Sequence, residues 1–168
     1  EAYSEYQENP GDLRNLIAEG RNVICLRTFS KIYGLAGLRI GYSYSSEEIA
    51  GYINRAREPF NVNSLAQAAA LAALDDDEFV RRSREVNDAG RKQFVEAFEK
   101  LGLEYFSDGA NFVMVKVADA PQKFVEMQKR GVIVRPNVGY GLPDWLRITI
   151  GKPEQNERCI GELAKLLK

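Results

Sequence analysis

Histidine is absent from this 168-residue chain, and its absence removes several classes of active site. Ser-His-Asp triads, Cys-His pairs and nearly every common zinc site need an imidazole. If the protein moves protons near neutral pH, another group must carry them. A lysine with a lowered pKa is one candidate, because burial of an amine disfavours its charged form.

Cysteines, long apolar runs and excess charge are also scarce. Cys25 and Cys159 are far apart and lie on different predicted elements, which favours reduced core residues in a cytoplasmic protein. No stretch approaches the roughly 20 apolar residues of a membrane-spanning helix, and a net charge of −1 gives no sign of a nucleic-acid or membrane surface. The acidic run at 75–78 fits a helix N-terminus and lacks the loop spacing of metal ligands, so we predict no metal site.

Apolar periodicity predicts alternating strands and helices, followed by a compact α+β unit. The predicted strands cover 22–27, 38–44, 103–106, 111–117, 132–136 and 145–150. The predicted helices cover 13–19, 46–57, 65–74 and 77–100, with one more opened by Asp119 and Pro121 and closed by Gly131, and a last one from Pro153. Ser45 with Glu48, and Ser64 with Gln67, are predicted capping boxes, and Asn61 and Asn63 are expected to shape a turn and cap a helix.

Lys31 directly follows the first predicted strand, at the kind of sheet edge where α/β proteins bind ligands. The hydroxyls of Thr28 and Ser30, the guanidinium of Arg39 and backbone N–H groups of the intervening glycine loop could surround a phosphate. A desolvated lysine can condense with an aldehyde, and pyridoxal 5′-phosphate carries both an aldehyde and a phosphate. From spacing alone, a solvated loop lysine and an arginine paired with an acid are the alternative.

The segment SKIYGLAGLRIGY, residues 30–42, resembles the lysine segment of fold-type I pyridoxal-phosphate aminotransferases of class I/II. EAYSEY resembles the end of the family's DEAY strand without its aspartate. PFNVNSLAQ, ANFVMV, GVIVRP and LRITIG resemble the histidinol-phosphate aminotransferase group in particular. The resemblance implies an α/β fold, with the end of the large cofactor-binding domain at 1–75, and a connecting helix with a small α+β C-terminal domain at 76–168.

The resemblance also implies roles for the residues that match by position. Lys31 would form the internal aldimine and carry the proton between the substrate Cα and the cofactor. Ser30 and Arg39, with Thr28 as a further candidate, would hold the cofactor phosphate, and Tyr3 would donate a hydrogen bond to its phenolic oxygen. A terminal aromatic packed on the surface is the alternative for Tyr3.

Two arginines would bind substrate by the same resemblance. Arg147, in LRITIG, would bind the substrate carboxylate, and its alternation with Leu146 and Ile148 places it on the opposite face of the strand from them. Arg135, in VIVRP, would contact a distal phosphate or carboxylate. A solvated strand arginine and a structural arginine are the respective alternatives.

The implied function is transamination between L-histidinol phosphate and 2-oxoglutarate by a cytoplasmic homodimer. An aromatic amino-acid aminotransferase or a threonine-phosphate decarboxylase remains open. The family's ring-pairing aspartate, glycine-rich phosphate loop and stacking aromatic lie outside these residues, so we interpret the chain as the C-terminal portion of such an enzyme. An inactive fragment serving as a structural or dimerisation module is the competing hypothesis. We expect residues 1–75 to pack onto another chain or to exchange between copies.

Overall fold

The computed structural model describes residues 1–167. The strands are β1 (Cys25–Thr28), β2 (Gly41–Tyr44), β3 (Tyr105–Phe106), β4 (Phe112–Lys116), β5 (Arg135–Asn137) and β6 (Leu142–Thr149). The helices are α1 (Arg14–Ala18), α2 (Glu47–Ala56), α3 (Ser64–Leu74), α4 (Asp77–Lys100), α5 (Ala120–Lys129) and α6 (Pro153–Leu166). The chain forms two compact units, Glu1–Ser83 and Arg84–Lys168.

In the first unit, β1 and β2 form a two-stranded antiparallel ladder that runs from Cys25 opposite Tyr44 to Thr28 opposite Gly41. The predicted strands at 22–27 and 38–44 exist, but both begin three residues later than predicted. The expectation of a buried first strand is wrong for most of its length, because only Cys25 of β1 is buried and Leu26 is 63% exposed. Within residues 1–167 each strand pairs only with the other, so the ladder covers one edge of each.

The interior of the first unit is small. Its buried hydrophobic residues are Tyr6, Cys25, Phe29, Ile32, Ala66 and Ala70. Helix α3 is apolar nearly all round, yet within it only Ala66 and Ala70 are buried. A helix that is apolar on every side is normally enclosed, so this unit leaves uncovered much of the surface that its sequence would bury.

The second unit has a four-stranded antiparallel sheet in the order β3-β4-β6-β5. One face of the sheet packs against helices α4, α5 and α6. The residues that share this core include Phe94, Phe98, Val113, Val115, Met127, Leu146, Ile148 and Leu163. Burial alternates along β4 and along the second half of β6, and this alternation places Met114 and Arg147 on the face opposite the core.

Helix α4 spans Asp77–Lys100, as predicted, and the Asp76 side chain accepts a hydrogen bond from the Phe79 backbone nitrogen at 2.9 Å. Both predicted serine caps are off by one residue. Ser46, not Ser45, caps α2. Asn63, not Ser64, caps α3 by accepting from the Ala66 nitrogen at 2.8 Å, which confirms the predicted capping role of Asn63. A cap must have extended backbone before the first helical residue, and each cap residue found has it.

The remaining differences concern α5 and the second sheet. Asp119 precedes α5 with φ 52° and makes no side-chain cap. Its backbone in the left-handed region explains the loss of the cap, because a capping residue is normally extended. Strand β5 begins at Arg135, later than predicted, and β6 begins earlier, at Leu142.

Both cysteines are buried and form no disulfide, which confirms that they are core residues. Burial raises the pKa of the Cys159 thiol to about 11.

Within residues 1–167, no helix combines the length and apolar character needed to cross a membrane.

Candidate active site

Lys31 lies in a tight turn that immediately follows strand β1. Phe29 and Ile32, on either side of the Ser30–Lys31 pair, are only 4% and 2% exposed, so they anchor the turn in the interior. The Gly34 nitrogen donates to the Lys31 carbonyl oxygen at 3.0 Å, and Gly34 has φ 70°, which favours glycine. The two anchors hold Lys31 half-buried directly after the strand.

Tyr3 contacts the lysine amine. Lys31 Nζ lies 5.3 Å from the centroid of the Tyr3 ring, within the range of a cation–π interaction. Tyr3 directly precedes a single 3-10 turn, Ser4–Tyr6, in which Ser4 and Tyr6 are buried. The structure therefore brings together two predicted residues that are 28 positions apart in the sequence.

A hydrogen-bonded cluster around the Glu1 carboxylate, which no sequence pattern indicated, holds the segment that carries Tyr3 in place. Tyr44 Oη donates to Glu1 Oε2 at 2.7 Å, and Arg27 Nε donates to the same oxygen at 2.9 Å. Burial of Glu1 favours its protonated form, but the hydrogen bonds from Tyr44 and Arg27 outweigh burial and lower the pKa of Glu1. The Glu1 hydrogen bonds raise the pKa values of both Tyr44 and Arg27. One carboxylate thus ties the Tyr3 segment to strands β1 and β2.

The three predicted phosphate-binding residues differ in position, because two lie in the Lys31 turn and one lies at the end of the following 3-10 turn. Thr28 Oγ1 accepts a hydrogen bond from the Ser30 backbone nitrogen at 3.0 Å, so these two hydroxyl residues share the turn with Lys31. Arg39 has φ 54° and is exposed at the end of the 3-10 turn Ala36–Leu38. Its Nη1 donates to the Ala36 carbonyl oxygen at 2.9 Å. A guanidinium has five N–H donors, so Arg39 retains donors for an anion.

In the second unit, Arg135 and Arg147 are directly opposite each other across the β5–β6 ladder. Arg147 is half-buried, with its guanidinium carbon 5.0 Å from the centroid of Phe112. Arg135 is exposed and donates through Nη2 to Tyr140 Oη at 3.2 Å. Among residues 1–167 neither arginine forms an ion pair with a carboxylate. Like charges opposite each other are destabilising, and an anion between the two guanidiniums would relieve this repulsion.

The family model for aminotransferase class I and II matches residues 1–163. The chain belongs to the class I and II aminotransferase family. A histidinol-phosphate aminotransferase of Akkermansia muciniphila is 52% identical over 167 residues, which are 99% of this chain and 46% of that relative. This chain therefore spans about half the length of the curated relatives that it matches.

Solved structures agree with this family membership. A putative histidinol-phosphate aminotransferase from Erwinia carotovora atroseptica superposes with a TM-score of 0.91 at 29% identity, over 99% of this chain and 49% of that one. The histidinol-phosphate aminotransferase of Sinorhizobium meliloti, solved in complex with pyridoxal-5′-phosphate, gives a TM-score of 0.88 at 26% identity, over 99% and 47%. The predicted α/β aminotransferase fold is confirmed.

Proposed function

We propose that the full-length protein is a pyridoxal-phosphate-dependent aminotransferase that transfers the amino group between L-histidinol phosphate and 2-oxoglutarate in histidine biosynthesis. The observation that carries this proposal is Lys31, half-buried directly after β1 and facing Tyr3, in a chain of this family. Sequence identities of 52% and 51% to two proteins named histidinol-phosphate aminotransferase support the choice of substrate. We further propose a cytoplasmic homodimer, in which residues 1–75 complete the large domain and 76–168 form the connecting helix and a small C-terminal domain.

The residues around Lys31 fit the two ends of the proposed cofactor. Lys31 Nζ is the amine that would hold the aldehyde end. Thr28 and Ser30 are in the same turn, and Arg39 has unused donors, so these three would hold the phosphate. Tyr3, whose ring lies against the lysine amine, would donate its hydroxyl to the ring oxygen. Bound pyridoxal phosphate supplies an electron sink that makes the substrate Cα–H acidic.

The chain's own contribution to the reaction is proton transfer and orientation. Lys31 Nζ would take the proton from the substrate Cα and deliver it to C4′ of the cofactor, which would supply acid–base catalysis without histidine. Tyr3 would keep the amine beside the bound cofactor. Arg147 binds the carboxylate of 2-oxoglutarate or glutamate, for which the planar guanidinium is suited.

The pairing of Arg135 with Arg147 favours a substrate that carries two negative charges. Histidinol phosphate has no carboxylate, but its phosphate is a dianion, and 2-oxoglutarate carries two carboxylates, so one arginine pair can serve both halves of the cycle. Phenylalanine carries a single carboxylate. The charge arrangement therefore favours histidinol phosphate over the aromatic amino acids as donor.

The test compares Lys31→Ala with wild type in the full-length protein loaded with pyridoxal phosphate. We expect visible absorption of attached cofactor to survive gel filtration in wild type and to be lost in Lys31→Ala, with activity reduced by about 10²- to 10⁴-fold or more. Lys92→Ala removes an exposed lysine and serves as the control. Equal cofactor retention and activity in wild type and Lys31→Ala would overturn the proposal.

A further inference from the structure

Two side chains of helix α4 donate to one backbone carbonyl in the loop before strand β4. Asn87 Nδ2 lies 3.2 Å from the Ala110 oxygen, and Arg91 Nη2 lies 2.9 Å from the same atom. Asn87 and Ala110 are buried, and the Arg91 side chain is 18% exposed. A carbonyl oxygen has two lone pairs, so the two donors saturate it.

Burying the Arg91 guanidinium costs more free energy than burying a neutral donor that could make the same contact. Arginine is seldom buried unless it is paired, and among residues 1–167 the ion-pair partner of Arg91 is exposed Asp88, at the long distance of 3.7 Å. A neutral donor would satisfy a carbonyl oxygen as well. A largely desolvated guanidinium therefore donates its hydrogen bond to the backbone of the loop that contains Ala110.

The loop that is held leads directly into β4, whose first residue, Phe112, contacts the predicted carboxylate-binding Arg147. The Asn111 oxygen accepts a hydrogen bond from the Ile150 nitrogen at 3.0 Å, and Phe112 is opposite Thr149 in the β4–β6 ladder. This register sets Phe112 diagonally across from Arg147, and the Phe112 ring lies against the Arg147 guanidinium. The position of the ring therefore depends on a loop whose carbonyl is fixed from α4.

We propose that Asn87 and Arg91 are positioning residues for Arg147, acting through the Ala110 carbonyl and the Phe112 ring. The inference rests on the proposed function, in which Arg147 binds a substrate carboxylate. The fixed loop places the ring, and the ring holds the guanidinium in one orientation before substrate arrives. A preorganised arginine loses less side-chain entropy on binding, so the clamp raises affinity for carboxylates without touching them.

The probe is succinate, a dicarboxylate that cannot be transaminated, titrated calorimetrically into the full-length protein with its cofactor. Arg91→Met keeps the length of the side chain and removes the donors. We expect it to raise the Kd for succinate and the KM for 2-oxoglutarate by roughly threefold to tenfold, with cofactor retention and kcat nearly unchanged. Arg91→Lys, which keeps one donor group, should recover part of the affinity. Lys92→Met, an exposed neighbour on the same helix, is the matched control for lost charge.

A double-mutant cycle separates positioning from general stability. If Arg91 acts through Phe112, adding Arg91→Met to Phe112→Leu should weaken succinate binding little further, because the intermediary is already gone. Full additivity would overturn the proposal, as would wild-type succinate affinity in Arg91→Met. Asn87→Ala provides a second, independent break of the clamp should Arg91→Met fold poorly, and unchanged affinity in that variant overturns the proposal too.

Arg147→Met distinguishes failure of this inference from failure of the proposed function. If Arg147→Met abolishes succinate binding and the clamp variants do not weaken it, only the positioning role is wrong. If Arg147→Met binds succinate like wild type, the carboxylate-binding role of Arg147 is itself wrong, and the positioning proposal fails with it.

Discussion

At the scale of single residues, the second unit places two positive charges, those of Arg135 and Arg147, directly opposite each other. Their Cα atoms are paired across two strands, so their side chains emerge on the same face of the sheet. Each guanidinium contacts an aromatic ring, Tyr140 and Phe112 respectively. Rings stabilise the cations while leaving N–H donors available, which suits a site that must stay open for an anion.

Arg135→Met should impair reactions of substrates with a distal anion more than reactions of substrates without one. We expect kcat/KM for histidinol phosphate to fall by roughly tenfold to a hundredfold, the loss typical of a charge-assisted hydrogen bond, while that for phenylalanine changes little. Steady-state kinetics with both donors measures the ratio. Arg130→Met, at an exposed arginine paired with Glu162, is the control. Equal losses for both donors would assign Arg135 a structural role.

Tyr44 and Glu1 give a second residue-scale prediction, on stability. Tyr44→Phe removes the donor to Glu1 Oε2 and should lower the free energy of unfolding by about 1 kcal/mol at pH 7. Tyr52→Phe is the control, because that hydroxyl is exposed and lies 3.4 Å from Glu48 Oε1. Urea unfolding of the full-length protein measures both.

The same pair has a predictable pH dependence. The pKa of Glu1 in the folded protein lies below its ordinary value of 4.5. Stability from the ionised carboxylate is therefore complete above about pH 4.5 and is lost as pH falls through the lower, folded-state pKa. The difference between wild type and Tyr44→Phe should shrink over that acidic range. A difference that grows on acidification would contradict the assignment.

At the scale of elements, helix α4 has a glycine where it meets the turn before α6. A Cβ built on Gly90 would lie 2.5 Å from Ile150 Cγ2 and 2.7 Å from Asn156 Nδ2. Asn156 is buried, and it bonds the Gly151 nitrogen at 2.8 Å and the Gly151 oxygen at 3.1 Å. The absence of a side chain at Gly90 lets the helix approach this turn closely.

Gly90→Ala should destabilise the protein by about 1–3 kcal/mol, because the rigid neighbours cannot give way without losing the Asn156 bonds. Gly161→Ala in α6 is the matched control, since its Cβ would meet nothing within 4 Å. By helix propensity alone it should stabilise by up to about 1 kcal/mol. Thermal unfolding of both variants gives the opposite signs, and stabilisation by Gly90→Ala would refute the close approach.

The elements predicted best from sequence are those with long, regular periodicity. Helix α4 was predicted to the residue because its apolar positions and acidic first turn agree. Strand β6 was predicted too short, since Pro143 and Asp144 normally indicate a turn. In the structure Pro136 pairs with Leu146 and Asn137 with Leu142, so Pro143 and Asp144 lie opposite a register irregularity of β5, where a missing ladder hydrogen bond is tolerated. Pairing partners, which decide such strand ends, are not encoded in local sequence.

At the scale of the whole molecule, some parts of the candidate site could be predicted from the sequence and others could not. Lys31 and Tyr3 were predictable because each belongs to a recognisable segment. The Glu1–Arg27–Tyr44 cluster was not predictable, since Arg27 and Tyr44 lie 26 and 43 positions after Glu1 and no sequence motif marks any of the three. The orientation of Arg39 toward its own turn was equally hidden, because it depends on a backbone with positive φ.

The first unit exposes more apolar surface than a self-sufficient fold would. Leu65 and Leu71 of α3 are 76% and 68% exposed, and Phe60 is 99% exposed with φ 55°. Large exposed apolar patches mark surfaces that bind another protein surface. The chain spans about half the length of its relatives, and covering this surface would require either further chain or a second copy.

We therefore expect residues 1–168 expressed alone to self-associate, with residues 1–75 mediating the contact. Light scattering after size-exclusion chromatography should show species larger than a monomer. Leu65→Glu with Leu71→Glu should shift the population toward the monomer, because burying two carboxylates in an apolar contact is unfavourable. Ile133→Glu, an equally exposed site in the second unit, should leave association unchanged. A cooperatively folded monomer of the unaltered chain at micromolar concentration would show that this surface needs no cover.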